Sequence, residues 1–297
     1  MMILRLRNKL NEERRLHKVV SLLFTIILLG DFTPLFCENV QTGKKTSVEL
    51  SLALGWNIGC YKETTFANIS QGLMSPRFQL GAKIFSGDFL HIISADYFFD
   101  TPSSAMTKTA VVYKNFDPVS GENYYEAFQS NLLFHRIHLQ YNLVYRPLKT
   151  ERLDFYVGGN FSCDAFLQYE NYPSISGLFS IGPSAFGIYK IDDRNSLSLA
   201  ASLPLFGYGV RPSYAGCDAL LMKYAEEDFL KILTLGNFLS LHNYQSILLN
   251  LEYKLKASDY FSIGLGTDFE YVRIAVPKER PFYLVDANFK TFAIINF

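Results

Sequence analysis

Cysteine is scarce in this chain, four among 297 residues, which excludes a scaffold framed by disulfides. Charge of one sign is not in excess either. With 28 basic residues against 28 acidic ones, the chain lacks the positive balance that binding to nucleic acid requires. Long apolar runs are missing too. Beyond the N-terminus no stretch approaches the roughly 20 apolar residues that a helix needs to cross the hydrocarbon of a bilayer. If the rest of the chain enters a membrane it must do so as a closed barrel, because only helices and barrels satisfy their backbone polar groups in lipid. What is abundant is aromatic: 26 Phe and 19 Tyr, with a single Trp. That composition suits a β-protein that faces a membrane.

At the N-terminus Arg5, Arg7, Lys9, Arg14, Arg15 and Lys18 precede an apolar run from Val19 to Leu29, followed by Gly30, Pro34 and Cys37. A basic region, a short apolar region and small or turn residues read as a secretory signal peptide over residues 1–37, leaving a mature barrel over 38–297. A membrane anchor is the rival, but the run is too short. A lipoprotein with Cys37 as the lipidated residue is another, and the bulky Phe36 argues against it.

The remainder alternates with period two, the signature of strands. Val48, Leu50, Leu52, Leu54, Trp56 and Ile58 share one face, and Glu49, Ser51, Ala53, Gly55 and Asn57 the other. A second strand opposes Phe78, Leu80, Ala82 and Ile84 to Arg77, Gln79, Gly81 and Lys83, and Ser86-Gly87-Asp88 turns it into a third, Phe89 to Phe99. The fourth sets Leu133, His135, Ile137, Leu139, Tyr141, Leu143 and Tyr145 against Arg136, His138, Gln140, Asn142 and Arg146. In the fifth, Phe155 to Tyr169 oppose Asp154, Asn160, Ser162, Asp164, Gln168 and Glu170. The sixth, about Gly177 to Ile191, is interrupted by Gly and Pro183. A seventh (Leu197 to Leu205), an eighth (Ile247 to Leu255), a ninth (Tyr260 to Ala275) and a tenth (from about Phe282 to Phe297) complete the set.

Short connections alternate with long ones along this series. Outer-membrane barrels are built that way, with turns in the periplasm and loops outside. Within the apolar register, Tyr145, Phe155, Tyr189, Tyr253, Phe261 and Phe297 fall near the short-turn ends, and Trp56, Phe99, Tyr169 and Tyr271 near the long-loop ends. Two interfacial girdles are expected from that placement. An N-terminal export segment followed by alternating strands that end on an aromatic residue, as in Phe289 to Phe297, resembles the bacterial outer-membrane β-barrel proteins. The resemblance implies an all-β, up-and-down antiparallel transmembrane barrel of about ten strands, a bacterial outer-membrane location, and outer-membrane lipid as its surroundings. It also implies handling by the barrel-assembly machinery, which in that superfamily reads a C-terminal strand closing on Phe.

The face opposite the apolar register carries Glu49, Arg77, Lys83, Asp96, Arg136, His138, Asp164, Glu170, Glu252, Lys254, Asp268, Glu270, Asp286 and Lys290. Charges of both signs crowded into a narrow bore are expected to pair, because unpaired buried charge is costly, and a paired network blocks the bore. His138 with Asp96 invites a hydrolytic reading, since outer-membrane proteases of ten strands use acidic and His groups at the barrel mouth. The resemblance to that family is strand count alone, with no matching Asp-Asp or His-Asp motif. His135 falls in the lipid-facing register, where barrel lipases and lipid deacylases carry a His with a Ser two positions on; here that position is Ile137.

Two long connections lie on the outer side. Asp100 to Gln129 reads as a polar, aromatic-dotted loop. Asp218 to Leu235, within Arg211 to Asn243, reads as an amphipathic helix capped by Asp218, striped by Leu221, Ala225, Phe229, Ile232 and Leu233, and ended by Gly236. Cys60 and Cys217 both fall in expected outer connections, where a disulfide between them is permitted. Cys163 reads as a small apolar residue facing lipid. No cofactor, metal or catalytic motif emerges. The expected role is a non-enzymatic barrel whose loops bind or shield, for an extracellular ligand the sequence does not specify. The alternatives are a narrow porin-like channel for small solutes and an outer-membrane lipid or peptide hydrolase.

Overall fold

The computed structural model describes residues 46–63, 70–101, 111–116, 123–128, 133–169, 173–211, 223–224, 231, 234–276 and 278–297. The segment read as a signal peptide, 1–37, lies outside them. The strands are β1 (Thr46–Glu63), β2 (Gln71–Ser86), β3 (Phe89–Asp100), β4 (Val111–Phe116), β5 (Asn123–Phe128), β6 (Leu133–Lys149) and β7 (Leu153–Tyr169). They continue with β8 (Pro173–Lys190), β9 (Asn195–Ser202), β10 (Phe206–Val210), β11 (Asn237–Leu239), β12 (Tyr244–Lys256), β13 (Phe261–Ile274) and β14 (Phe282–Asn296). Hydrogen bonding runs β1-β2-β3-β6-β7-β8-β9-β12-β13-β14 and returns to β1, an antiparallel sheet of ten walls closed on itself. Among the described residues no helix is long and apolar enough to cross a membrane.

The seventh and eighth walls are each broken in two, and the cause of one break is local. Pro204 has no N–H to give to the ladder, so pairing with β8 passes from β9 to β10 through Leu203 N to Pro183 O (3.0 Å) and Leu205 N to Ile181 O (3.0 Å). The chain presses so closely there that a Cβ on Gly182 would lie 2.1 Å from the Leu203 carbonyl oxygen. Only glycine fits. β11 pairs with β10, and the turn from Ser240 to Asn243, closed by Ser240 N donating to Asn243 Oδ1 (2.7 Å), leads into β12. The loop expected over Asp100–Gln129 contains a separate two-stranded hairpin, β4 with β5. Neither strand alternates, Val111–Phe116 reading VVYKNF and Asn123–Phe128 reading NYYEAF, so the period-two signal was missing there. Most of the helix expected over Asp218–Leu235 lies outside the described residues.

Turns at the end that carries β1's start and β14's finish are short. Gly87 takes a φ of 63° as the first residue of the two-residue link Gly87-Asp88, the left-handed conformation that primed hairpin turns require. At the next short turn but one, the Asp192 carboxylate accepts from the Asn195 side chain and from the Arg194 and Asn195 backbone N–H groups, and these bonds hold its pKa below the usual carboxylate range.

The period-two pattern sorts the walls. Leu50, Leu52, Leu54, Trp56 and Ile58 of β1, Leu249, Leu251 and Tyr253 of β12, and Ile263 and Leu265 of β13 all point outward and are exposed to the surroundings. A water-soluble fold does not leave such a continuous apolar surface uncovered. Tyr145, Tyr189, Tyr253, Phe261 and Phe297 ring one end of it, and Trp56 and Phe99 stand toward the other. Walls of 17 or 18 residues such as β1, β6, β7 and β8 exceed the roughly 9–11 that a tilted strand needs for the hydrocarbon, so they project beyond it.

Candidate functional site: the barrel lumen

The inward residues stack in layers. At the long-loop end, Tyr61, Leu73, Phe98, Phe134, Phe166, Leu178, Leu239, Tyr244, Val272, Ile274, Phe282 and Leu284 form one buried apolar cluster contributed by nine of the ten walls. Its rings interlock: Tyr61 and Phe134 stack at 4.9 Å between centroids, and Phe166 and Phe282 meet at 5.3 Å. Arg211 reaches over this cluster, lying 5.8 Å from the Phe282 ring and donating to the carbonyls of Val276 (2.7 Å) and Arg280 (3.1 Å) in the link before β14. Near the short-turn end two smaller apolar clusters occupy opposite walls, one of Leu90, Val144, Tyr156 and Phe186, the other of Ala53, Phe292 and Ile294.

Between these layers lie the charges. Arg136 donates to Asp164 through Nε (2.8 Å) and a terminal nitrogen, and to both oxygens of Glu270. His138 Nδ1 is 2.8 Å from Asp164 and 3.5 Å from Arg136. A carboxylate only accepts, so the shorter contact fixes the proton on Nδ1, and the longer one is not a hydrogen bond from Arg136. Arg77 pairs with Asp96 at 3.3 Å and lies 3.7 Å from Asp286, which is also 3.8 Å from Arg136. Lys290 is held by Asp268 (2.9 Å), Glu252 (3.1 Å) and Gln79 (2.8 Å). Lys83 pairs with Glu252 at 2.8 Å, and Lys254 with Glu49 at 2.7 Å. The structure thus places thirteen of the charged residues singled out in the sequence in the lumen, in three groups of contacts: one around Arg77 and Arg136, one around Lys290, and the pair Lys254–Glu49; Glu170 lies outside the described residues.

The apolar layers above and below were not anticipated. The signal was present as parity, because Phe98, Phe134 and Phe166 each sit two residues from Asp96, Arg136 and Asp164 and therefore share the inward face. Where both faces of a strand end are apolar, alternation of polarity vanishes although alternation of direction persists.

His138 is not at a mouth. It is 3% exposed beneath the aromatic layer, and its partner is Asp164, whereas Asp96 is engaged by Arg77. His135 lies on the outer wall near the long-loop end, with Nδ1 2.9 Å from the Tyr97 hydroxyl and its ring beside Phe99. Cys163 lies on β7 as a half-buried free cysteine, in register with the outward-facing residues. Cys60 belongs to β1 instead of an outer connection and is an exposed free cysteine; Cys217 lies outside the described residues.

A barrel of this kind is found among known structures. The outer membrane protease OmpT of Escherichia coli matches over 84% of this chain and 96% of its own, with a TM-score of 0.50 at 7% sequence identity. The fold is that of an outer-membrane β-barrel. The translocator domain of the autotransporter NalP from Neisseria meningitidis is also similar, over 93% of this chain and 96% of its own, with a TM-score of 0.39 at 8% identity. A FadL homologue of Pseudomonas aeruginosa aligns over 85% of this chain and 90% of its own, with a TM-score of 0.29 at 9% identity. No family model matches the sequence, and no curated protein does. At such identities the likeness concerns architecture and carries no chemistry across.

Proposed function

We propose that this outer-membrane barrel is non-enzymatic and non-conducting, exported by its N-terminal segment, and that it serves as a stiff mount for outer loops that bind or shield. The observation that carries the reading is the twelve-residue apolar cluster spanning the bore beneath the outer rim, backed by a layer of mutually paired charges. A solute crossing from outside would have to part interlocked rings and then break buried ion pairs, and removing one partner of such a pair leaves a charge stranded at a penalty of about 3–5 kcal/mol. The long loops, the hairpin β4–β5 among them, are the parts of the chain free to meet a partner.

Planar-bilayer recording of the refolded barrel tests this. The expected trace is silent at neutral pH and moderate voltage. Reproducible ohmic steps would replace the mount by the narrow channel. A hydrolase reading has less support: His138 is enclosed, and the position two beyond His135 is Ile137. Assays of the folded protein on phospholipid and on peptide substrates should show no turnover, and turnover abolished by substituting either His would make it an enzyme.

A further inference from the structure

At the long-loop end of the outer wall the apolar register gives way to a polar row. Lys62 of β1, Tyr283 of β14, Arg273 of β13 and Gln245 of β12 are successive partners across four neighbouring walls, and all four belong to the outward face. An ammonium, a phenol, a guanidinium and a carboxamide stand side by side, and each can donate a hydrogen bond. Among the described residues of the ten walls, Lys62 and Arg273 are the charged side chains of the outward register at this end, and both are cations.

Neither of the two is engaged by a carboxylate among the described residues. Tyr283 stands between them in the row, and the Arg273 guanidinium lies 6.0 Å from the centre of its ring, which draws the second cation toward the first. The link before β14 adds Lys278 and Arg280 against Glu279, so this corner of the rim stays positive. Like charges brought together without a counter-charge from the chain call for an anion from outside it.

The surface below the row says what that anion is attached to. Two residues further into the wall the donors are replaced by Cys60, Val285, Tyr271 and Ile247. One step beyond, Ala287 lies between Ile58 and Phe269, which are 48% and 41% exposed. The small side chain between two large ones leaves a furrow over Val285 and Ala287 that leads from the donor row into the lipid-facing surface.

We propose that this sector of the outer wall is a docking site for a phosphorylated lipid of the outer leaflet, its phosphate monoester held by Lys62, Arg273, Tyr283 and Gln245 and its acyl chain laid along the furrow. Charge complementarity selects that headgroup, since a phosphate monoester carries about −1.5 to −2 at neutral pH against two cations, and the guanidinium fork matches its oxygens. A soluble anion has no use for the furrow. The site lies on the wall and goes beyond the loop-mount reading, because a barrel carries it whether or not its loops bind a partner.

The test uses the full chain refolded into phosphatidylcholine vesicles that contain a small fraction of phosphatidic acid brominated on its acyl chains near the headgroup. Trp56, the single tryptophan, lies on the outer face of β1, six residues from Lys62 and opposite Phe289, and bromine in contact with it quenches its fluorescence. Quenching should exceed that from the same fraction of brominated phosphatidylcholine, to a degree that corresponds to at least about tenfold enrichment of phosphatidic acid at the wall. The double variant Lys62→Gln, Arg273→Gln should fall to the phosphatidylcholine level, and Arg273→Lys should keep part of the preference. Unbrominated phosphatidic acid should relieve the quenching in the unaltered barrel, a measurement that decides the matter if a variant does not fold. Equal quenching by the two lipids, or a double variant that keeps the preference, would overturn the proposal. Relief by inorganic phosphate as complete as that by phosphatidic acid would also overturn it, assigning the row to a soluble anion.

Discussion

Replacing Arg136 by Met removes the cation around which the mid-lumen layer is organised. Its guanidinium is 1% exposed and donates to Asp164 and to both oxygens of Glu270, with Asp286 at 3.8 Å. Methionine fills comparable volume, so the loss is electrostatic. Two carboxylates are stranded, and breaking a buried pair by deleting one partner costs about 3–5 kcal/mol. With a urea slope on the order of 1–3 kcal/mol/M, the unfolding midpoint should fall by more than about 1 M. Trp56, the single tryptophan, lies on the outer wall and reports unfolding through its fluorescence as it leaves the apolar surroundings. The triple variant Arg136→Met, Asp164→Asn, Glu270→Gln should recover most of the loss, since the two carboxylates that Arg136 bonds are then neutral and Asp286 keeps Arg77. An unfolding free energy for Arg136→Met within about 0.5 kcal/mol of the parent's would refute the layered electrostatic account.

Four further outcomes follow from the structure. Gly182→Ala should destabilise by about 1–3 kcal/mol, because the new Cβ meets the Leu203 carbonyl at 2.1 Å, whereas Gly159→Ala, with no atom nearer than 3.9 Å, should stay near the parent in the same urea titration. Leu52→Arg, on the lipid face midway between Val48 and Trp56, should cost on the order of 2–4 kcal/mol when unfolding is followed in bilayers, and an unchanged midpoint would mean that this face does not contact lipid. Phe134→Ala should lose about 3–5 kcal/mol yet remain silent in a planar bilayer, the charge layer still blocking the bore; open steps would show the aromatic layer to be the only barrier. The Asp192 carboxylate is stabilised in its charged form by Asn195 and the Arg194 and Asn195 N–H groups, so its folded pKa lies below the unfolded value of about 3.9. Its contribution to the turn should be complete above that value and disappear as pH falls through the folded pKa; a carbon-13 titration of the carboxyl showing an ordinary or raised pKa would contradict the bonds described.

The walls were legible because period two is dictated by backbone geometry and because lipid and lumen make opposite demands on successive residues. β6 is the clearest case: the assignment of Tyr141, Leu143 and Tyr145 outward and Arg136, His138 and Asn142 inward could be made by alternation alone. Legibility failed where that contrast disappears. Phe282 and Leu284 face inward into an apolar layer, so their strand end has two greasy faces and polarity no longer tells them apart. It failed also at the seventh wall, where Pro204 splits the strand without ending the pairing, and in the long loop that holds β4 and β5. Which charges pair was beyond reach. Lys83 finds Glu252 at a separation of 169 residues, a meeting that follows from closure and shear and from no local spacing.

Several of those pairs span the bore between walls that are not neighbours: Lys83 of β2 to Glu252 of β12, Lys290 of β14 to Gln79 of β2, and Arg136 of β6 to Glu270 of β13. They act as tie rods across a tube. A cylinder held only by its circumference can flatten under lateral pressure from the surrounding bilayer, but one braced along several diameters keeps its cross-section round, and peeling any hairpin from the wall means releasing struts anchored on the far side.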